Sequence, residues 1–451
     1  MTEPASFKTG SLSFVEVLAT SIALIGPSMT PVLIAPYIYA NAGNGTWLAY
    51  VFGGVMLIFV ALNINQFARR STGAGSMYEY AAENLGPALG ALSGWALLWA
   101  YVFVAAAVLG AMALFVSLLL ARAGVQPNAT LYVVIAIVIA AVCWQAAYRG
   151  VQVSAILMLV LEAISVGIIL TLVGIVLFRH GPSIDTTQLT IKGGFPSWGL
   201  AIMTAVFSFV GFESATAFGA EASRPLVTIP RAVIGSVVLA SLFFILTTYA
   251  EIVGLQHSAK PLDQLDSPLG VIAAILNAGY LQVPILIGAL CSAFSVCLAC
   301  VTTAGRIAYA MARNGVLPEI LGKIEPKHDT PHVAVTVATV VAVAIAVPSL
   351  AAGVLPVDVF NNCGTLSSFG FIVIYLLISI AAGIYVKRIG AMKVKDFAIS
   401  AIAVVLLVLP AIWLVLSNPA APQKWFPIYF VAFLLLGWGW FAWNASRRQR
   451  A

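Results

Sequence analysis

Charged residues are scarce in this chain of 451 residues, since aspartate, glutamate, lysine and arginine together make up only 8% of it. Soluble proteins carry about 25% charged residues, so the composition excludes a soluble protein of this size. Hydrophobic residues make up 61%, and long apolar runs recur along the whole chain. A run of about 18 or more such residues crosses the ~30 Å hydrocarbon core of a bilayer as a helix. The composition therefore predicts an all-α membrane protein.

Cysteine and histidine are also rare, with five and four residues. All five cysteines lie in apolar runs, which argues against a disulfide framework. Cys297 and Cys300 have C-x-x-C spacing, but inside a predicted span we favour small residues that ease helix contact over redox or metal chemistry. Gly-rich phosphate loops, paired-histidine metal spacings and Ser-His-Asp sets are missing. We therefore expect no metal, no cofactor, no enzymatic activity and no nucleic-acid partner.

Apolar windows predict twelve spans and one domain, 1–451, because no polar stretch is long enough to fold alone. The apolar segment 267–280 is too short to span and is expected at the outer surface. With the N-terminus inside, most of the 22 Lys and Arg residues fall on the inner side, which places both termini in the cytoplasm. The predicted spans are 14–41, 46–66, 91–121, 129–147, 150–178, 198–223, 229–256, 282–311, 332–352, 357–386, 396–417 and 427–446.

Two of these spans, the first and the sixth, carry residues that interrupt a helix. The first contains Gly26-Pro27-Ser28, and Pro27 cannot donate a backbone hydrogen bond. The sixth contains Gly211, Glu213 and Ser214 in the middle of an apolar run. Irregular backbone is tolerated at membrane depth only where it is buried in protein or lines a cavity. An ordinary kink is the alternative for either interruption taken alone.

The two interruptions take corresponding positions in two halves of opposite topology. The first half, 14–178, starts inside; the second, 198–386, starts outside; and 396–446 adds two peripheral helices. Discontinuous helices paired in this way indicate a substrate site near the bilayer midplane.

A site built on exposed backbone has a definite chemistry. The half-helix that begins near Ser28 offers free N–H groups and a positive dipole end to a carboxylate. Carbonyl groups near Ile25, Phe207 and Ser208 would accept from an ammonium group. A site with both features matches a zwitterion, and therefore an amino acid. The residues expected to line it are Ile25, Gly26, Ser28, Met29, Thr30, Phe207, Ser208, Val210 and Gly211.

Four stretches carry a family resemblance. They are Arg70-Ser-Thr-Gly-Ala-Gly-Ser-Met-Tyr78-Glu-Tyr80 with Gly86 and Gly94-Trp95, Gly150-Val-Gln-Val-Ser154-Ala155, Phe209-Val-Gly211-Phe-Glu213 through Arg231-Ala232, and Arg306-Ile-Ala-Tyr309-Ala-Met-Ala-Arg313-Asn-Gly315-Val-Leu-Pro318. In this order they resemble the amino acid–polyamine–organocation superfamily, with its LeuT-type 5+5 inverted repeat and discontinuous helices 1 and 6.

The resemblance implies alternating access, with the substrate held between spans 1, 3, 6, 8 and 10. It implies that Phe207 is an aromatic lid and that Glu213 is the family's characteristic acidic residue. Cys300 falls where some members carry a Trp that stacks on the substrate. This departure enlarges the expected pocket and argues against carrying over arginine or agmatine specificity.

Carboxylates within spans are costly, so each is a functional candidate. Glu213 is predicted to be a proton-responsive gate residue, with a structural acceptor as the alternative. Glu162, midway along span 5, fits ion coupling and helix contact equally well. Glu251 is expected to reach the membrane interface by snorkelling. Glu16 is expected near the N-cap of the first span.

The coupling ion is left open between a proton and sodium. Many proton-coupled members of the resembled family carry a Lys on span 5, whereas this chain has none there and places Ser165 near that position. The hydroxyls of Thr302 and Thr303, with carbonyls near Ala23 and Gly26, are a possible site for a small hard cation. Proton coupling, or simple exchange, is favoured over sodium.

These observations predict a secondary transporter of an amino acid in the cytoplasmic membrane. A carrier of polyamines or other organic amines is the alternative. A channel is less favoured because no span carries a continuous polar stripe. The particular substrate, the direction of transport and the oligomeric state stay open.

Overall fold

A computed structural model describes residues 12–70, 77–149, 155–190, 192–218, 222–256, 258–328, 330–391, 393–416 and 421–448. Parts of the motifs quoted above, 71–76, 150–154 and 219–221, lie outside the described residues. In the described part, the regular structure is helical apart from two isolated β-bridges.

The described residues form fifteen α-helices with short π- and 3-10-helical segments between some of them. In chain order they are α1 (Phe14–Ile25), α2 (Ala35–Ala42), α3 (Thr46–Ala68), α4 (Met77–Leu85), α5 (Pro87–Ala121), α6 (Ala129–Tyr148), α7 (Ala155–His180), α8 (Gly194–Phe207), α9 (Pro225–Gly254), α10 (Pro268–Ile275), α11 (Gln282–Arg313), α12 (His332–Ala351), α13 (Pro356–Arg388), α14 (Val394–Leu416) and α15 (Phe426–Arg448).

Local sequence explains how several of these helices begin. Proline occupies the first turn of α5, α9, α10 and α13, where its fixed φ fits the helix and its missing N–H has no partner to lose. Helix α1 begins with a reciprocal capping box between Ser13 and Glu16. The Ser13 N–H donates to the Glu16 carboxylate at 2.7 Å, so Glu16 lies near the N-cap, as expected.

Eleven segments of the described chain are long and apolar enough to cross a membrane. Ten of them correspond one to one with predicted spans 3 to 12. The remaining segment, Phe14–Ala68, covers predicted spans 1 and 2 in 55 residues. Its helix is interrupted at Gly26 and again at Gly43, where φ is 66° and 64°.

The predicted short segment 267–280 is confirmed as non-spanning. It forms the eight-residue helix α10, followed by a 3-10 turn over Gly279–Leu281. Leu269 and Ile272 are buried, so α10 is packed against the rest of the protein. Its position at the outer surface stays a prediction.

The core is built around α5 and α13, which pack along each other. At Gly110 a Cβ atom would lie only 2.8 Å from the Pro356 carbonyl oxygen, so the absence of a side chain permits the close approach. The apolar window is 72% buried in α5 but only 17% in α15, where Leu435 and Leu436 are exposed. Helix α15 is therefore largely exposed, whereas the apolar window Ser197–Thr216, which contains the second interruption, is 94% buried.

Candidate substrate site at two interrupted helices

The first interruption follows α1. This helix ends because Gly26 takes a left-handed conformation, and the Gly26 N–H turns back to the Ala23 carbonyl at 3.2 Å. Pro27 then begins a turn, and the chain becomes helical again as a π-helical segment, Thr30–Ile34, that runs into α2. The predicted interruption of the first span is therefore present in the structure.

The second interruption follows α8. A turn over 208–211 ends in Gly211, whose φ of 107° lies in a region that glycine adopts far more readily than other residues. A 3-10 helix, Phe212–Phe218, continues the chain. As in the first span, the regular α-helical hydrogen bonding is lost at mid-span.

The two interruptions lie against each other. A Cβ atom on Gly211 would stand 2.9 Å from the carbonyl carbon and oxygen of Leu24, and 3.2 Å from the Ile25 nitrogen. The Ser214 hydroxyl donates to the Ser21 hydroxyl at 3.4 Å, which gives a second contact. Main-chain groups from both interruptions therefore converge on one place, as the sequence predicts.

Glu162 of α7 caps the first interruption. Its Oε1 atom accepts from the Ser28 N–H at 2.9 Å and from the Ser28 hydroxyl at 2.8 Å. Ser28 is fully buried, and Glu162 is 5% exposed. The N–H group expected to face a solute therefore already binds an internal carboxylate in this conformation.

Glu213 collects donors at the second interruption. Its Oε1 accepts from the Tyr101 hydroxyl of α5 at 2.7 Å. Its Oε2 accepts from the Gly211 N–H at 3.3 Å and from the Tyr375 hydroxyl of α13 at 3.4 Å. Glu213 therefore connects the interruption with both central helices, and sequence reasoning had not selected either tyrosine.

Phe207 packs against α13. Its ring touches Gly364, where a Cβ atom would lie 2.8 Å from the ring carbon Cε1. The ring also contacts Phe360, with centroids 5.4 Å apart. Phe207 is 5% exposed, so in this conformation it is part of a closed aromatic contact.

The other predicted lining residues are buried at or near the interruptions. Met29, Val210 and Cys300 are buried, and the Cys300 thiol lies near Tyr101 and Glu213. Thr30 is also buried, and its hydroxyl lacks a hydrogen-bond partner among the described residues. Unlike the Thr30 hydroxyl, the Ser208 hydroxyl has a hydrogen-bond partner, the Tyr50 hydroxyl of α3 at 3.1 Å.

Two α11 residues that the sequence did not single out lie against the first interruption. A Cβ atom on Gly26 would meet Val296 Cγ2 at 2.7 Å and Ser292 Oγ at 3.2 Å. Thr302 lies six residues beyond Val296, which is about 9 Å further along the helix axis, and Thr303 follows it. Sequence reasoning missed Ser292, whose position opposite Gly26 depends on the packing of two distant helices.

Ser165 lies where α7 touches α11, directly against Gly288. The hydroxyls of Ser165 and Ser292 are both buried and lack a hydrogen-bond partner among the described residues. Ser292 also lies close to the Glu162 carboxyl. The structure thus groups Glu162, Ser28 and Ser292 at the first interruption, while the cation site that includes Ala23, Thr302 and Thr303 stays a prediction.

Glu251 corrects an expectation. The snorkelling predicted for this residue is wrong, because its side chain is fully buried near the end of α9. The physical reason is that α7 and α10 cover this part of α9.

Comparison with known proteins agrees with this architecture. The amino acid permease family model matches residues 17–449. The branched-chain amino acid permease BcaP of Bacillus subtilis is 25% identical over 364 residues, which cover 77% of this chain and 75% of that protein. The chain therefore belongs to the amino acid permease family, within the superfamily that its motifs resemble, and is a multi-pass membrane transporter.

Other relatives are named for different substrates. The glutamate/serine transporter AimA of Bacillus subtilis is 26% identical over 313 residues, covering 64% of this chain and 57% of that protein. The low-affinity putrescine importer PlaP of Escherichia coli is 24% identical over 336 residues, covering 72% and 71%. The family membership alone therefore leaves the side chain of the substrate open.

Proposed function

We propose that this protein moves an amino acid across the cytoplasmic membrane by alternating access, as a secondary active transporter. The observation that carries the proposal is the contact of Gly211 with the backbone of Leu24 and Ile25, which brings both interruptions together. Three of the relatives named by substrate handle branched-chain amino acids, or glutamate and serine. An amino acid is therefore the substrate class that the chemistry and the relatives favour together.

The proposed topology has twelve crossings with both termini in the cytoplasm. The segment Phe14–Ala68 counts as two crossings, because 55 residues exceed what one crossing needs and the helix is broken at Gly43. Spans within 14–178 and 198–386 form the two inverted halves in this proposal. Spans within 396–446 are additional, in keeping with the exposed faces of α14 and α15.

In the proposed complex, the ammonium group of the amino acid binds carbonyls near Ile25, Phe207 and Ser208. Its carboxylate binds the Ser28 N–H, at the positive end of the second half of the helix. Glu162 holds that N–H in the present conformation. The substrate carboxylate and the Glu162 carboxylate therefore compete for one donor.

This competition gives proton coupling a simple physical basis. A protonated Glu162 is neutral, so it is a weaker ligand than a carboxylate for a helix N-terminus. A proton on Glu162 would release Ser28 to the substrate, and loss of that proton would favour substrate release. Substrate affinity is then expected to rise as the pH falls through the ionisation of Glu162, which favours proton coupling over sodium coupling.

The variant Glu162→Gln tests this mechanism. The amide is neutral at every pH, so purified Glu162→Gln protein should bind substrate with an affinity that does not change with pH. The wild type should bind up to about tenfold more tightly for each unit of pH decrease in the range where Glu162 titrates. The measurement is equilibrium binding of the labelled amino acid that gives the largest thermal stabilisation in a ligand screen.

A wild-type pH dependence that persists unchanged in Glu162→Gln would contradict the mechanism while leaving the carrier proposal intact. Uptake into proteoliposomes under separate sodium and pH gradients supplies the matched control. A sodium gradient that drives uptake alone would instead support a cation site with Ala23, Gly26, Ser165, Thr302 and Thr303.

An organic amine is the second candidate substrate. Two buried carboxylates, Glu162 and Glu213, lie at the two interruptions and would favour a cation. PlaP, which imports putrescine, is a relative. The same thermal-shift screen separates the candidates, because a carrier of amines would be stabilised by putrescine or agmatine and not by neutral amino acids.

A further inference from the structure

Glu251 is a buried carboxyl group that the proposed transport mechanism does not use. It lies one turn from the end of α9, and its side chain is fully buried. Neither carboxyl oxygen has a hydrogen-bond partner among the described residues. This isolation distinguishes Glu251 from Glu162, which accepts two hydrogen bonds, and from Glu213, which accepts three.

The surroundings of Glu251 are apolar. It lines a narrow void in which a water-sized sphere does not fit. The other residues that line the void are Leu172, Val173, Val176, Ala250, Leu269 and Ile272. An ionised carboxylate without partner or water is so costly in such surroundings that the group takes up a proton instead.

None of the residues that line the void carries a positive charge that could pair with an ionised Glu251. The ionisable groups on the neighbouring helices lie elsewhere. Helix α7 carries Arg179 and His180 in its last turn, beyond Val176, and Glu162 far towards its other end. Helix α10 has no ionisable residue, and the two aspartates that precede it, Asp263 and Asp266, are both exposed. On α3 the nearby ionisable group is the Tyr50 hydroxyl, which pairs with Ser208.

Helix α10 is the cover of this void. Leu269 and Ile272 are buried against it, and Ile272 also lies against Gly254, where a Cβ atom would stand 3.3 Å from the Ile272 side chain. Separation of α10 from α7 and α9 would open the Glu251 carboxyl to water. Ionisation of Glu251 and separation of α10 are therefore linked events.

We propose that Glu251 is a proton-binding site, and that loss of its proton separates α10 from α7 and α9. The sign of the linkage follows from the two states. The packed state holds the proton and the separated state releases it, so low pH favours the packed state and high pH favours separation. This site is independent of the substrate and of the Ser28 contact.

Hydrogen exchange of the full-length protein in lipid nanodiscs tests the proposal. The readout is the protection factor of the amides in 269–275, corrected for the intrinsic pH dependence of exchange. In the wild type, protection should fall by about tenfold for each unit of pH increase. This slope applies in the pH range where Glu251 is ionised in the separated state but still protonated in the packed state. The Glu251→Gln side chain has the same shape as glutamate but cannot ionise. In this variant the protection should therefore not depend on pH.

Two further variants keep the test decisive. Glu251→Met fills the void with an apolar side chain, so it should fold and also show pH-independent protection if Glu251→Gln is poorly expressed. Glu162→Gln is the matched control, because it removes a different buried carboxyl and should keep the wild-type slope in 269–275. A flat wild-type profile, or a slope that survives in Glu251→Gln or Glu251→Met, would overturn the proposal.

Discussion

At the scale of the residue, Glu213 shows why a charged group is retained in an apolar span. Burial of a carboxylate is costly unless donors satisfy its oxygens. Tyr101, Tyr375 and the Gly211 N–H supply those donors from three separate parts of the chain. Movement of the second interruption relative to α5 or α13 must therefore rearrange these hydrogen bonds, which suits a residue that responds to the transport cycle.

We predict that Glu213→Gln changes the pH dependence of uptake more than it changes protein yield, because the amide keeps the shape and loses the titration. The control is Tyr101→Phe, which keeps the carboxyl and removes one hydrogen bond of 2.7 Å. That control should cost about 1–3 kcal/mol of stability and leave a pH dependence of uptake. Superimposable pH profiles for Glu213→Gln and the wild type would exclude a proton-responsive role.

Asp185, in the connection between α7 and α8, makes a second prediction at this scale. Burial alone would raise the pKa of Asp185, but hydrogen bonds from Thr187, Gln188 and Gln256 outweigh it and hold the pKa below its usual range. A lowered pKa stabilises the folded state above the unfolded value of about 3.9, and this contribution is lost as the pH falls through the folded value.

Asp185→Asn should therefore unfold at a lower temperature than the wild type at pH 7, by the equivalent of about 1–3 kcal/mol. The difference should begin to shrink below about pH 4, where the unfolded-state carboxyl takes up a proton, and should be lost once the pH falls through the lower pKa of the folded protein. Thermal unfolding in detergent at a series of pH values measures both effects. A difference that is constant across the series would show that the charge of Asp185 is not involved.

At the scale of the element, local sequence was sufficient to predict the interruptions. Gly26 and Pro27 end α1 by their own backbone preferences, and Gly211 supplies the positive φ at the second interruption. The short helix α10 was also recognised as non-spanning from its length alone. These features depend on a few consecutive residues, which is why one sequence reveals them.

Contacts between distant elements were not predictable in the same way. Ser28 and Glu162 are 134 residues apart, and Tyr101 and Glu213 are 112 apart. Such pairs depend on how helices pack, and a single sequence does not encode that packing in any local pattern. For the same reason Glu251 was predicted at the interface, although α10 folds back and buries it.

The contact between α1 and α11 gives a prediction for a pair of elements. In Gly26→Ala, the new Cβ would meet Val296 Cγ2 at 2.7 Å, in addition to the strain of the left-handed φ. We expect a loss of about 1–3 kcal/mol in stability and reduced uptake. Adding Val296→Ala should recover the steric part of this loss, because it removes the contacting methyl group.

A double-mutant cycle on thermal stability, with Val296→Ala alone as the control, measures the coupling. If the stability changes of Gly26→Ala and Val296→Ala simply add in the double variant, the two residues are not coupled. Helices α1 and α11 would then not approach each other at Gly26 as described.

At the scale of the whole molecule, composition predicted the class of protein, and the spacing of apolar runs predicted nearly all of the membrane-spanning segments. Ten of the eleven segments match one predicted span each, and Phe14–Ala68 covers the other two. The quoted motifs pointed to the superfamily, and the match to the amino acid permease family over residues 17–449 agrees with them. The substrate depends on side chains around the interruptions, so the fold alone leaves it open.

The central proposal is that an amino acid binds where the two interrupted helices meet. Saturation binding of a labelled amino acid to the purified protein tests it most directly, with Gly211→Leu compared against Gly353→Leu. Both glycines have a positive φ, but a Cβ atom would touch the backbone of Leu24 only at Gly211, whereas Gly353 has open space around it. Saturable binding that is lost in Gly211→Leu and kept in Gly353→Leu is the predicted result. Wild-type binding by a correctly folded Gly211→Leu would contradict the proposal.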